Sequence, residues 1–106
     1  EIMPDDPNVH YSLGVIYARN SMKFLNDELE EAQSSWFMDY SNLAIEQFKK
    51  TIEIKPDHAD AHFNLGVSYL YMNLSDLAKK VHADLKNLDS ELAEKLNEMI
   101  KDNSGK

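Results

Sequence analysis

The chain reads as an all-α protein, about five helices arranged as antiparallel hairpins stacked into a short solenoid. Three observations lead there. Glu53–Gly66 (E-I-K-P-D-H-A-D-A-H-F-N-L-G) falls on Glu1–Gly14 (E-I-M-P-D-D-P-N-V-H-Y-S-L-G) at a fixed offset of 52, so two copies of one unit are present. The stretch from Asn20 to Lys55 holds neither Gly nor Pro, and the whole chain has only 3 of each. Apolar residues recur three and four apart rather than alternating, the period of a helix with one buried face. With 106 residues the chain is large enough for one small domain, 1–106.

In chain order, Glu1-Ile2-Met3-Pro4 matches Glu53-Ile54-Lys55-Pro56, which closes a helix in the second copy. Residues 1–4 are therefore expected to be the end of a preceding repeat, and the chain a piece of a longer array. Asp6-Pro7 is a helix start: a carboxylate to cap free N–H groups, then a ring whose φ suits the first helical position. Asp57 is expected to play the same part before Ala59. The first helix carries Val9, Leu13, Ile16 and Tyr17 on one stripe; its copy carries Ala61, Leu65, Tyr69 and Met72. Gly14 and Gly66 sit inside these helices, where each costs about 1 kcal/mol relative to Ala, a penalty that close helix approach would offset. After the second copy Asn73-Leu74-Ser75-Asp76 breaks the pattern, with Ser75 as the expected N-cap. Leu77, Ala78, Val81, His82, Leu85 and Leu88 then resume it. Asp89-Ser90 opens a last helix with Leu92, Leu96, Met99 and Ile100 on one face, suited to covering the end of a stack. Asp102 to Lys106 reads as a frayed tail.

At this point the residues resemble the tetratricopeptide repeat, a helix–turn–helix unit of about 34 residues with the pattern W-x2-L-G-x2-Y…A-x3-F…P. The second copy supplies His62-x2-Leu65-Gly66-x2-Tyr69, then Ala78-x3-His82. The first supplies His10-x2-Leu13-Gly14-x2-Tyr17, then Ala44-x3-Phe48, and ends on Pro56. His10 and His62 replace the usual aromatic, His82 stands where Phe is expected, and Ser90 holds the place of the closing Pro. The resemblance implies a right-handed solenoid divided as residues 7–56 (repeat 1), 57–88 (repeat 2) and 90–102 (capping helix).

The largest departure is spacing: Gly14 to Ala44 spans 30 residues, Gly66 to Ala78 only 12, so 18 have been added to the first unit. Eighteen residues make about five helical turns, so the addition can lengthen both helices without rotating either face. Met22, Leu25, Leu29, Ala32 and Trp36 keep helical phase, and Trp36, Tyr40, Leu43, Phe48 and Ile52 continue it. The reversal is expected near Gln33-Ser34-Ser35, with nine residues extending each helix by about 13 Å. Trp36, Phe37 and Tyr40 would then lie near the tip of an arm, where they pack on Leu25 and Leu29 or form a second contact surface.

Several chemistries are poorly served. The 19 acidic residues against 11 basic give a formal charge of −8, which disfavours nucleic acid and anionic membranes and tolerates a basic partner better. No Cys is present, so neither a disulfide framework nor thiolate chemistry is available. No apolar run approaches the roughly 20 residues that span a bilayer, and no signal-peptide pattern opens the chain, which reads as soluble with its compartment, cytoplasmic or periplasmic, left open. His58 and His62 lie four apart with Asp60 between, but no third metal ligand is indicated. No nucleophile motif such as G-x-S-x-G occurs, so neither an enzyme nor a cofactor is expected. The acidic run Asp27-Glu28-Leu29-Glu30-Glu31 reads as a solvated face.

In the family the concave surface lined by first helices receives an extended peptide or a partner helix. By resemblance the lining here is Asn8, Tyr11, Ser12, Val15, Ala18 and Arg19, then Asp60, Phe63, Asn64, Val67, Leu70 and Tyr71. Tyr11, Val15, Phe63, Val67 and Tyr71 would be the anchors. Members that clamp a terminal carboxylate place Lys and Asn where Tyr11 and Val15 stand here; Asn64 alone fits that clamp. The expectation is a noncatalytic scaffold that binds a basic or apolar segment of another protein in an apolar groove. The alternative is a structural module that self-assembles through exposed repeat faces or the enlarged hairpin.

Overall fold

The computed structural model describes residues 6–25 and 31–104, and the side chains of 6–21 and 37–102. Five helices follow one another, α1 (Pro7–Leu25), α2 (Glu31–Ile54), α3 (Ala59–Tyr71), α4 (Ser75–Leu88) and α5 (Ser90–Ser104), with no strand among the described residues. Each helix packs on the next, the α1–α2 interface being the most extensive, and α5 folds back over α3 as well as α4. The Cα atoms fill a slab of 40 × 36 × 17 Å.

The two hairpins share a register at one end and differ at the other. α1 and α3 begin at Pro7 and Ala59, and α2 and α4 end at Ile54 and Leu88, the same offsets that relate Gly14 to Gly66 and Ala44 to Ala78. All added length therefore sits where α1 ends and α2 begins. α1 has 19 residues against 13 in α3, and α2 has 24 against 14 in α4, extensions of about 9 and 15 Å. The expected equal division and the reversal at Gln33-Ser34-Ser35 are both corrected, since these three residues lie inside α2. Serine is only mildly unfavourable within a helix. The stripe that continues from Phe37 through Ser41, Ala44 and Phe48, all buried, outweighs that preference. Leu29 and the acidic run 27–30 fall outside the described residues, as do residues 1–4.

Local signals set the helix ends. The Asp6 carboxylate accepts from the Asn8 N–H at 2.9 Å, and Asp89 accepts from Glu91 and Leu92, both at 3.1 Å, so both residues cap as their sequence positions suggest. At α3 the cap is His58 rather than Asp57: its Nδ1 accepts from the Ala61 N–H at 3.1 Å. At α4 it is Leu74, with Ser75 the first helical residue and no side chain bonded to the cap. The turn between α3 and α4 is instead held from the preceding helix. Asn73 takes φ 62°, its N–H donates to the Leu70 carbonyl at 3.0 Å, and the Leu74 N–H donates to the Tyr69 carbonyl at 2.8 Å. That is a Schellman closure, and Asn is among the few non-glycine residues that tolerate its left-handed position.

The core runs through Ala44, Ile45 and Phe48 of α2, Leu65, Tyr69 and Leu70 of α3, Ala78, Val81 and Leu85 of α4, and Ala93, Leu96 and Ile100 of α5. Both helical glycines mark close approaches. A Cβ on Gly14 would stand 2.6 Å from the Phe48 ring; on Gly66 it would stand 2.7 Å from Leu96 and 3.2 Å from Val81. Where the first hairpin presents Phe48, the second has His82, and α5 supplies Leu96 against the glycine. The expected α1 stripe is corrected: Val9 is 42% exposed and Ile16 49%, whereas their counterparts Ala61 and Ser68 are buried. α3 has helices on both sides; α1 packs on α2 and lightly on α3.

Candidate functional site

Between α1 and α3, with α2 as its floor, lies a cleft of ≈ 180 Å³. α1 lines it with Val15, Ala18 and Arg19, α3 with Asn64, Val67 and Tyr71, and Phe48 forms its apolar bottom. Ser21, Ser41 and Ser68 also contribute, and their small side chains leave the space open. The helical period explains the arrangement: Val15, Ala18 and Arg19 share one face of α1, and Asn64, Val67 and Tyr71 share one face of α3. The volume is below the roughly 300–1,000 Å³ of small-molecule sites. It suits one inserted side chain better than a cofactor.

Tyr11 organises one end. Its hydroxyl accepts from Asn64 Nδ2 at 2.9 Å, and its ring lies 4.7 Å from His58 and 5.9 Å from Phe48. It therefore ties α1 to α3 rather than standing free in the cleft. Burial pushes its phenol above the ordinary 10.0, the Asp60 carboxylate adds to that rise, and the Asn64 hydrogen bond opposes it. At the other end, Tyr71 is 40% exposed and Arg19 is exposed. Five of the seven groove residues expected from the sequence, Val15, Arg19, Asn64, Val67 and Tyr71, thus meet around one opening. Phe63 is half-buried against the core and does not line the cleft. Leu70 is 6% exposed and belongs to the core. Sequence reasoning missed Phe48 as the floor and the three serines; its signal was available, since Phe48 faces Gly14 at the family's paired positions.

The expected second surface is corrected in part. Phe37 is only 8% exposed, and Tyr40 packs against Tyr17 with ring centroids 6.4 Å apart. Glu31–Ile54 is one helix, so Phe37 and Tyr40 sit well inside α2 and face α1. The Trp36 side chain lies outside the described residues.

His10 and His62 serve structure. His10 Nδ1 donates to Gln47 Oε1 at 2.7 Å, joining α1 to α2, and His62 Nε2 donates to the Pro56 carbonyl at 2.8 Å. Among the described residues no three His, Asp or Glu side chains form a group able to hold a metal ion.

Residues 42–73 match the family model described as TPR repeat. The matched segment covers the second half of α2, the connection through Pro56 and all of α3, and so straddles the two hairpins. With the all-helical hairpin stack it supports placing the chain in the tetratricopeptide-repeat family, whose domains bind other proteins and are typically noncatalytic. No curated protein and no solved structure matches the chain significantly. None of the helices is long and apolar enough to cross a membrane among the described residues.

Proposed function

We propose that the chain is a noncatalytic interaction module that receives a segment of a partner protein in the cleft between α1 and α3. One observation carries this reading: an apolar opening of ≈ 180 Å³, bounded by Val15, Val67 and Phe48 and flanked by an exposed Tyr71. A half-exposed aromatic beside an apolar recess is the usual form of an interface anchor. Tyr11 and Asn64 act by fixing the spacing of α1 and α3, and Phe63 by supporting α3 from behind.

The test is capture of the partner from source lysate by the immobilised chain, identification by mass spectrometry, and titration of the purified partner. Tyr71→Ala and Val67→Ser should each weaken binding about tenfold while the helical signal and melting temperature stay near those of the parent. Equal binding by both variants would remove the cleft as the binding site.

A second reading rests on a different observation. Val9 and Ile16, 42% and 49% exposed, form an uncovered apolar strip on α1 through which copies of the chain would pair.

A further inference from the structure

Arg19 is the only arginine of the 106-residue chain; the other ten basic residues are lysines. Among the described residues it is also the only charged one lining the cleft. Its side chain is exposed and makes no ion pair with any described residue. In a chain of formal charge −8, a lone guanidinium at the lip of an apolar recess is a local inversion of sign. Guanidinium differs from ammonium in presenting a planar fork of donors that pairs with a carboxylate through two parallel hydrogen bonds. It is more weakly hydrated as well, so an occupant that shuts out water beside Val15, Val67 and Phe48 strengthens the pair at lower desolvation cost than a lysine would incur.

The sign changes beyond the Asn64 end of the cleft. Asp60, in the first turn of α3, stands one helical turn before Asn64 on the same face, outside the residues that line the cleft. Tyr11 and Arg19 are eight residues apart on α1, about 12 Å, the span of three to four residues of extended chain. A single carboxylate is favoured over a run of them, because the acidic surface repels a polyanion. A side-chain carboxylate is favoured over a chain terminus, since among the described residues no second cation lines the cleft to share a terminal group.

Resting on the cleft reading above, we infer that the occupant is an internal peptide segment that seats one apolar side chain between α1 and α3 and pairs one Asp or Glu, within three residues of it, with Arg19. Toward Asp60 the same segment is neutral or basic.

The probe is a phage-displayed dodecapeptide library whose peptides are fused at their C-terminus, selected on the intact chain. Enriched sequences are expected to carry Asp or Glu within three positions of Leu, Ile, Phe or Tyr above library frequency. As amidated synthetic peptides they should bind Arg19→Gln roughly fivefold more weakly than the parent. Selection on Arg19→Glu should replace the acidic residue with Lys or Arg. Peptides weakened by Tyr71→Ala and Val67→Ser but indifferent to Arg19→Gln would overturn this inference and leave the cleft as the binding site. Peptides indifferent to all three variants would overturn both readings, and so would a selection that enriches nothing. Because Arg19 and Tyr71 are exposed, their replacement does not disturb the core, and a thermal melt of each variant checks this.

Discussion

Gly14 and Gly66 sit at equivalent places in the two hairpins, yet their surroundings are not equivalent. Both neighbours are fully buried, but that of Gly14 is the rigid Phe48 ring, while that of Gly66 is chiefly the terminal methyls of Leu96. Alanine in a helix gains about 1 kcal/mol over glycine, but forcing a methyl into a packed site costs about 1–3 kcal/mol. Gly14→Ala should therefore destabilise the chain in chemical denaturation, and by more than Gly66→Ala, where Leu96 can change rotamer. Equal midpoints for the two variants would contradict that ordering. The motif's spacing signals a close approach at both glycines, whereas the identity of the approaching group at Gly66 was hidden, because Leu96 belongs to a helix outside the repeat.

At the scale of elements, the longer helices of the first hairpin make a definite claim about α2. Its first four N–H groups lack intrahelical partners, so slow amide exchange should begin near Ser35 and run without a break toward Ile54. Fast exchange from 35 to 40 would contradict the continuous helix, and a second minimum of protection at 33–36 would restore the reversal expected from the sequence. The terminal helix makes another claim. Leu96 has no exposure and lies against Gly66, so Leu96→Ala should cost about 2–5 kcal/mol of stability although α5 lies outside both hairpins. An unchanged melting temperature would mean that α5 is dispensable to the stack. The helices, their order and most of their boundaries were legible from apolar period and punctuation. The caps were less so: Asp57 and Ser75 have the right chemistry, but the chain's path through the turns placed His58 and Leu74 at the capping positions.

For the whole molecule, the two functional readings separate by mass. The charge of −8 opposes close approach of copies, and the exposed strip on α1 is narrow. Light scattering over a wide concentration range should then report the monomer mass of 12.2 kDa. A concentration-dependent rise toward twice that value, abolished by Ile16→Lys, would favour self-assembly. The sequence by itself determined the all-helical class and the succession of helices, because periodicity and breaker residues are local signals that survive without knowledge of neighbours. Only the tertiary structure decided which candidate residues share an opening. Val15, Val67, Arg19 and Tyr71 converge, whereas Phe63, Leu70 and Phe37 turn to packing, because helical spacing specifies the face a residue occupies, and what covers that face depends on helices far away in the chain.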